Sequence, residues 1–416
     1  MAARPKMLFL CQMFPLPVQS GTQHRTYTLL VRLARHFDIT FLTLAAGGGW
    51  QEHVTELARH AQRVVAVVPD NKRSRAHRAF FKAMYWVRRI TIAESSDRFY
   101  NSIPNVTRAI RNELRDGGYD VLFCEYWFWD ARIYDTSALK VIDANDVQTM
   151  RVERLLERTT NLVDRLLRPW LVRRYQQMEA EILRRADVIV ATTVRDRAVF
   201  QKWAPNVPQV LCTPTGLDTD YFVEQPGAAR DPLNVVFYGA MSNPMNRDAA
   251  QFLVNDILPL LRQRVPGVRL TIVGAFAGAD ILDLAARNPD VTVTGYVEDV
   301  RQPLSAAGVV VCPLRYGYGI RGRVYELMSM SVPLVVTPVA VEGMELQSGD
   351  GLLVADGAAA FADAVARVLG DAELRAQLGR RGRELAVQRM SIAATYDRLA
   401  DHLAQLAAAR HPHSPS

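Results

Sequence analysis

Short apolar runs alternate with longer amphipathic stretches along almost the whole of the 416 residues. The runs are mostly continuous, which is typical of parallel β-strands that are buried on both faces. The stretches between them carry apolar residues three and four positions apart, which predicts helices that pack on such a sheet. The alternation therefore predicts an α/β protein with doubly wound parallel sheets and right-handed crossovers.

The predicted strands fall into two successive groups. The first group lies at residues 7–11, 39–44, 64–68, 121–124, 141–143, 188–191 and 209–212. The second group lies at residues 234–238, 269–273, 291–294, 309–312, 334–337 and 351–354. Helices are predicted at residues 22–36, 106–115, 247–264, 280–287, 321–330, 358–369, 372–386 and 391–408. Two groups of this length predict two Rossmann-like domains.

Proline and glycine are concentrated between the two groups, at Pro214, Gly216, Pro226, Gly227 and Pro232. This composition is typical of an interdomain segment. We therefore expect a first domain at residues 1–213, a hinge at 214–232, a second domain at 233–388, a C-terminal helix at 389–410 and a tail at 411–416.

Composition restricts the class of protein. Hydrophobic residues make up 49% and charged residues 22% of the chain, which is typical of a soluble globular protein. No apolar run is long enough for a membrane span, and the start lacks a signal-peptide cleavage pattern, so we expect a cytoplasmic protein. The four cysteines are far apart and no histidines pair as ligands, so we expect no metal and no other cofactor.

Positive charge belongs to the first half of the chain. Residues 1–213 carry 32 basic and 21 acidic residues, a net charge of +11, whereas residues 214–416 carry 18 and 22, a net charge of −4. Residues 71–93 contain seven basic residues, no acidic residue and several interleaved aromatic residues.

Two interpretations of residues 71–93 stay open. They predict either a helix that lies on anionic lipid or a solvated helix that packs its aromatic residues into the core. In the first case the contacts would be Arg73, Arg75, Arg88, Arg89 and Trp86. Residues 165–174 form a second basic stretch around Trp170, which favours the lipid interpretation. No recognised nucleic-acid motif accompanies the charge, so nucleic acid is not expected as a partner.

Residues 317–322 fit the glycine pattern G-x-G-x-x-G after a predicted strand. A nicotinamide site would place this pattern after the first strand of its domain, whereas here it comes late in the second. Glycines at a strand end, a helix N-terminus and the charges of Arg321 and Arg323 instead predict a diphosphate cradle. Glu326 follows one turn later, where a carboxylate can accept ribose hydroxyls. The Asp218-Thr-Asp220 sequence is interpreted as a turn, not a metal site.

Several segments carry a family resemblance. Residues 237–249 resemble the pattern G-x-M-x-x-x-x-N-x-D-A, residues 294–300 resemble GxVxD, residues 319–326 resemble G-x-R-x-K-x-x-E, residues 213–218 resemble PNGVD, and residues 15–25 resemble a P-x-x-x-G-G loop. Together they make the chain similar to the family-4 GT-B glycosyltransferases, which join sugars in bacterial polysaccharide and glycolipid assembly. The resemblance implies two Rossmann-like domains that face a cleft, with a C-terminal helix that crosses back.

The resemblance also implies a reaction. A sugar would pass from a UDP- or GDP-linked donor to a glycan or lipid-linked acceptor, without a metal and with retention of configuration. Catalysis would fall to Arg321, Arg323 and Asp146. The donor would be bound by Gly21, Arg25, Gly239, Asn246, Tyr296, Val297, Gly319, Ile320 and Glu326.

The chain departs from the family pattern at several positions. Tyr318 stands where many members have a glutamate, Arg323 replaces the usual lysine, and Asn145 stands where a histidine is usual before Asp146. Asn145 cannot move a proton, so any acid–base role falls to Asp146, which could alternatively cap a helix predicted at residues 150–158. An epimerase of the same fold, a catalytically silent nucleotide-binding scaffold and a nicotinamide enzyme therefore stay open as alternatives.

Overall fold

The structure is a computed structural model that describes residues 4–18, 20–45, 49–70, 75–92, 103–157, 162–316 and 322–410. Its contacts divide the chain into two compact units. The first unit comprises Met1–Pro214 together with Tyr396–Ser416, and the second comprises Thr215–Thr395.

The first unit contains a seven-stranded sheet in which every paired strand is parallel. Its strands are β1 (Lys6–Cys11), β2 (Asp38–Leu44), β3 (Arg63–Val67), β4 (Val121–Glu125), β5 (Leu139–Asn145), β6 (Val188–Ala191) and β7 (Gln209–Cys212). Their spatial order is β3-β2-β1-β4-β5-β6-β7. The order reverses between β1 and β4, as it does in doubly wound folds.

Helices join these strands and cover the sheet. They are α1 (Gly21–Leu33), α2 (Val54–Leu57), α3 (Arg75–Ile92), α4 (Pro104–Gly117), α5 (Gln148–Glu157), α6 (Leu162–Leu183) and α7 (Val194–Trp203). Short 3-10 helices lie at Trp50–His53 and Ala131–Tyr134. The central strands are almost wholly buried, and Trp127 and Trp129 fill the core beside the end of β4.

The second unit contains a six-stranded parallel sheet. Its strands are β8 (Asp231–Tyr238), β9 (Arg269–Val273), β10 (Val291–Gly295), β11 (Ala307–Cys312), β12 (Leu334–Val336) and β13 (Leu352–Val354). Their spatial order is β10-β9-β8-β11-β12-β13, so the switch point lies between β8 and β11.

The helices of the second unit are α8 (Pro244–Phe252), α9 (Leu258–Arg264), α10 (Ala279–Arg287), α11 (Arg301–Ser305), α12 (Gly322–Ser329), α13 (Ala358–Gly370) and α14 (Ala372–Met390). A π-helical turn at Leu253–Ile257 joins α8 to α9, and a 3-10 helix lies at Pro338–Val341. The chain then passes through a π-helical turn at Ala393–Asp397 into α15 (Arg398–Arg410).

Helix α15 belongs to the first unit. His402 Nε2 lies 2.6 Å from Gln209 Oε1, and Arg410 pairs with Asp187 at 2.9 Å. The expected fold class, two doubly wound parallel sheets with a helix that crosses back, is thereby confirmed.

Each predicted strand is present, but several helices differ from the prediction. The stretch predicted as one helix at 247–264 is α8, a π turn and α9, and it begins at Pro244 because the Asn243 side chain caps the amide of Met245. The last helix, predicted over 391–408, is likewise interrupted by a π turn. Helices α6 and α7 were not predicted; Pro169 lies inside α6 and obscures its pattern.

Candidate functional site

The candidate site of the second unit lies at the switch point of its sheet. Strand β8 ends at Tyr238 and its loop leads into α8, while β11 ends at Cys312 and its loop leads into α12. In open α/β sheets a ligand binds outside the carboxyl ends of the strands at this position. Two of the segments with family resemblance, residues 237–249 and the described part of residues 319–326, therefore meet at this switch point. Gly319, Ile320 and Arg321 lie outside the described residues, so their predicted roles stay predictions.

Arg323 ties the first turn of α12 to the loop after β8. Its Nη1 donates to the carbonyl oxygen of Tyr238 at 2.6 Å and to Asn246 Oδ1 at 3.2 Å. Asn246, which is 4% exposed, donates in turn to the carbonyl oxygen of Ala240 at 2.9 Å. The Arg323 guanidinium also lies over the Tyr238 ring, 5.1 Å from its centre. The arrangement fixes the positive charge of Arg323 near the carboxyl ends of β8 and β11.

Gly239 allows this close packing. A Cβ at Gly239 would lie 2.7 Å from Arg323 Nη1 and 2.7 Å from Asn246 Nδ2. On its other side Gly274, with a φ of +154°, brings its own backbone so near that a Cβ there would lie 2.0 Å from the carbonyl oxygen of Gly239. The structure thus brings Gly239, Asn246 and Arg323 together. Gly274 was missed by the sequence analysis, although a glycine directly after β9 was the available signal.

Glu326 is half-buried one turn into α12. Desolvation raises the pKa of the Glu326 carboxyl, while the nearby Arg323 charge opposes that rise. Glu326 also contributes to the raised pKa of Tyr238, whose main cause is burial. The carboxyl thus lies within electrostatic range of Arg323 and Tyr238, where it could accept hydroxyl groups of a ligand.

Tyr296 and Val297 lie in the loop after β10, at the edge of the sheet. The Tyr296 side chain is 78% exposed, whereas Val297 is half-buried against the core of the second unit. An exposed ring on an anchored loop offers a stacking surface for a planar group. In the loop after β11, the Nε of Arg315 is paired with Asp248 at 2.9 Å, so the charge of this arginine already has a partner.

Acidic side chains lie at the carboxyl ends of the strands of the first unit. Glu125 ends β4 and accepts hydrogen bonds from Cys11 Sγ at 3.0 Å, from the Gln12 amide at 3.3 Å and from the Thr26 hydroxyl. Burial raises the pKa of the Glu125 carboxyl to about 7, although its hydrogen bonds lower it. Glu125 was missed by the sequence analysis; an acid directly after a buried strand was the signal.

Arg25 lies inside the first unit. Its side chain binds Asp143 through Nη2 at 2.7 Å and Nε at 3.0 Å, and its Nη1 donates to the carbonyl oxygen of Thr213 at 3.1 Å. Burial opposes the charge, but Asp143 and Tyr396 outweigh it and raise the pKa of Arg25. Arg25 is only 3% exposed, so its predicted contact with the donor stays a prediction that these contacts do not favour. Gly21 is exposed at the start of α1, after Ser20 as the N-cap.

Asn145 is the last residue of β5, and Asp146 follows it. Asn145 is 6% exposed, with a left-handed φ of 59°, and its carbonyl oxygen accepts the Thr192 amide at 2.8 Å. The Asp146 side chain is exposed and accepts a hydrogen bond from Gln148 Nε2. Partial desolvation raises the pKa of Asp146, and the Asp196 carboxylate adds to the rise.

Asp146 does not cap the first two amides of α5, contrary to the alternative interpretation. The amides of Gln148 and Thr149 donate to the two carboxyl oxygens of Glu179 at 3.0 and 2.9 Å. Glu179 comes from α6 and is fully buried, and the Thr149 hydroxyl also binds it at 2.6 Å. Burial raises the pKa of Glu179 to about 7, with these hydrogen bonds opposing the rise. Asp146 is left facing outward.

The basic segment forms helix α3. Phe81 is buried, and Met84 and Tyr85 pack against the core of the first unit, whereas Phe80 is 63% and Val87 60% exposed. One face thus packs into the core, as the second interpretation predicts, whereas contact with lipid stays a prediction. Arg73 and the side chains of Arg75, Trp86, Arg88 and Arg89 lie outside what the structure describes. Within the described residues, no helix is long and apolar enough to cross a membrane.

Comparison with known proteins finds a family match in the second unit. Residues 232–371 match the family model described as glycosyl transferases group 1, and they lie within the second unit. No curated protein was found to match the chain.

Solved structures resemble nearly the whole chain. HepE of Anabaena, solved in complex with UDP, has 14% identity and a TM-score of 0.62 over 96% of this chain and 100% of its own. Sucrose-phosphate synthase of Thermosynechococcus elongatus has 18% identity and a TM-score of 0.62 over 98% and 100%. WaaG, a glycosyltransferase involved in lipopolysaccharide biosynthesis, has 14% identity and a TM-score of 0.56 over 95% and 99%. At these identities the likeness establishes the fold, which is GT-B.

Proposed function

We propose that the chain is a glycosyltransferase that moves a sugar from a nucleoside-diphosphate sugar to a glycan or lipid-linked acceptor. The cluster of Gly239, Asn246 and Arg323 at the switch point is the observation that carries the proposal. The cluster lies within the segment that matches the glycosyl transferases group 1 model. HepE has been solved with UDP and with UDP-glucose, which favours a uridine nucleotide as the first donor to test.

In the proposed reaction the bond between the anomeric carbon and the diphosphate oxygen breaks. The electron pair leaves with the nucleoside diphosphate, and the oxygen of an acceptor hydroxyl bonds to the anomeric carbon on the same face, which retains its configuration. The hydroxyl proton passes to the departing phosphate. Asp146 would orient that hydroxyl, since its side chain is exposed beyond the carboxyl end of β5.

The leaving diphosphate gains negative charge, so fixed donors aimed at it lower the barrier. Arg323 offers such a charge, because its hydrogen bonds hold it beside Gly239. Arg321 and the amide of Ile320 would add to it at the start of α12. We propose that these groups neutralise the diphosphate without a divalent ion. Glu326 would accept the ribose hydroxyls.

The nucleotide base and the sugar would bind on either side of the diphosphate. Tyr296 and Val297 would border the nucleotide base, with the exposed Tyr296 ring available for stacking. Gly21 would let the backbone at the start of α1 approach the donor closely, because glycine has no side chain. A Cβ at Gly21 would meet nothing within 4 Å, so the space beside it is open.

A thermal-shift panel tests the proposal. UDP, GDP, ADP, CMP and NAD are added at millimolar concentration, each with and without EDTA. A ligand at about 100 times its Kd adds roughly 2.7 kcal/mol to the free energy of unfolding. We expect UDP or GDP to raise the Tm equally in the presence and absence of EDTA. The shift should be lost in Arg323→Ala and kept in Arg287→Ala, which removes an exposed arginine of the same unit.

Each other result has a defined meaning. A shift with NAD alone would make residues 317–322 a dinucleotide loop and overturn the proposal. A shift that EDTA abolishes would contradict metal independence. Nucleotide binding without release of nucleoside diphosphate from any donor and acceptor would favour the silent scaffold.

We further propose that the protein works at the cytoplasmic face of the cell membrane. The exposed side chains of Phe80 on α3 and of Leu166 and Trp170 on α6 lie within the two basic stretches of the first unit. Apolar side chains among positive charges suit an anionic lipid surface, which is where a lipid-linked acceptor would be found.

A further inference from the structure

The chain passes between the two units twice. It leaves the first unit after Pro214 and returns to that unit at Tyr396. We call residues 213–217 the outgoing crossing and residues 390–396 the returning crossing. The contacts at the ends of these segments show where each one is held.

Arg25 contacts the end of each crossing that lies in the first unit. Its Nη1 donates to the carbonyl oxygen of Thr213 at 3.1 Å. Its guanidinium carbon lies 5.5 Å from the centre of the Tyr396 ring, which is fully buried. One side chain, itself 3% exposed, therefore holds the start of the outgoing crossing and the end of the returning crossing.

Asp143 fixes the orientation of that guanidinium. The two hydrogen bonds from Nε and Nη2 of Arg25 to the Asp143 carboxylate form a planar fork, which leaves Nη1 to bind Thr213. Asp143 lies on β5, two residues before Asn145 and three before Asp146. Both crossings are thus fastened to the strand that directly precedes Asp146, the residue proposed to orient the acceptor.

The other ends of the crossings bind each other within the second unit. The Leu217 amide donates to the carbonyl oxygen of Met390 at 2.6 Å, and Leu217 pairs with Ser391 in a parallel bridge. Residues 214–216 and 392–395 lie between these two sets of contacts. The second stretch overlaps the π-helical turn at Ala393–Asp397, and such turns are frequent at functional positions.

We propose that Arg25 is a positioning residue that fastens the first-unit ends of both crossings, at Thr213 and Tyr396, to Asp143 on β5. This role differs from direct contact with the donor. The fastening stands on the contacts alone, whereas its effect on turnover rests on the proposed function.

Hydrogen exchange and kinetics of Arg25→Lys test the inference. Lysine keeps the charge but cannot reproduce the planar fork together with the bond to Thr213. We expect amides in both crossings to exchange at least tenfold faster. The Kd for UDP or GDP should stay within twofold, because the second unit binds the nucleotide, while kcat should fall at least tenfold with little change in the donor KM. Arg59→Lys is the matched control, since it alters an exposed ion pair of the same unit.

Unchanged exchange in both crossings would overturn the inference. If nucleotide binding also weakened tenfold, Arg25 would instead be a donor ligand. Should Arg25→Lys fail to fold, Asp143→Asn weakens the fork that orients Arg25 without changing the size of the side chain; faster exchange in both crossings supports the inference and unchanged exchange overturns it. If the wild type binds neither UDP nor GDP, the proposed function fails, and the exchange rates still decide the role of Arg25.

Discussion

Gly239 shows how strictly one position of the site is determined. A Cβ at Gly239 would lie 2.7 Å from Arg323 Nη1 and from Asn246 Nδ2, and the carbonyl oxygen of Gly239 lies close to Gly274. A methyl group at Gly239 would collide with the side chain that supplies the fixed charge. The close approach of these groups would therefore shape the proposed binding position at this strand end.

We expect Gly239→Ala to displace Arg323 and Asn246 and to weaken binding of UDP or GDP at least tenfold, about 1.4 kcal/mol. Isothermal titration of the folded variant measures the change. Gly370→Ala is the control, because a Cβ at that position meets nothing within 4 Å. Equal affinity of the two variants would show that the Gly239 turn does not shape the nucleotide site.

Sequence predicts single residues well where a local pattern carries the chemistry. Gly239, Asn246 and Arg323 were predicted from short motifs, and the structure brings them together. The burial of Arg25 could not be predicted, because its partner Asp143 lies 118 residues away in the chain. A motif gives the residue type and its element, but not the long-range partner that decides whether a charge faces a ligand or the interior.

Helix α5 illustrates the same limit for an element. Its start was predicted within two residues, yet its capping group comes from α6, about 30 residues later. A buried carboxyl that caps two amides holds the chain after Asp146 in place. Glu179 therefore stabilises the start of α5, and its raised pKa makes that stabilisation depend on pH.

We expect the free energy of unfolding of the first unit to fall as the pH rises from about 4.5 to about 7. The pKa values of Glu125 and Glu179 are raised from 4.5 to about 7, so their stabilising contribution is complete below the lower value and lost above the higher one. One pKa unit is about 1.4 kcal/mol, so each group contributes up to roughly 3 kcal/mol. Urea unfolding at several pH values measures this slope.

Glu179→Gln should make that slope shallower, since glutamine does not titrate. Tryptophan fluorescence reports the first unit specifically, because all 6 tryptophans precede residue 214. Glu52→Gln, at an exposed position of the same unit, should leave the slope unchanged. An equal slope in wild type and Glu179→Gln would contradict the role given to this carboxyl.

Strands were easier to predict than helices for a physical reason. A strand buried on both faces needs a continuous apolar run, which stands out from its surroundings. Helix α6 has no such signal, since Leu166 is 82% exposed and Pro169 interrupts the pattern. The π turn between α8 and α9 could not be predicted, because its residues are similar in composition to those of the helices on either side.

At the scale of the whole molecule, charge is divided between the two halves of the sequence. The first 213 residues carry +11 and the remainder −4. Long-range attraction to an anionic surface would therefore act on the first unit. The basic helix α3, with Phe80 exposed, would supply the apolar contact that such a surface also needs.

We expect the protein to float with anionic vesicles and not with neutral ones, and to be released by salt. Arg88→Glu with Arg89→Glu should abolish flotation, and the same reversal at Arg73 and Arg75 should weaken it. Arg108→Glu with Arg111→Glu changes the net charge equally on the exposed face of α4 and should leave flotation intact. Equal loss in both double variants would reduce the effect to net charge, and no flotation of the wild type would exclude membrane contact through α3.

The return of the chain at Tyr396 has a consequence for synthesis on the ribosome. Tyr396 and α15 are made about 180 residues after Pro214, a delay of roughly 10–40 s at ~5–20 residues per second. During that interval all seven strands of the first unit have been made, but the ring beside Arg25 and the Arg410 side chain that pairs with Asp187 have not. The second unit, which is continuous in sequence, can complete itself first. The half of the molecule that is translated first is therefore the last to be finished.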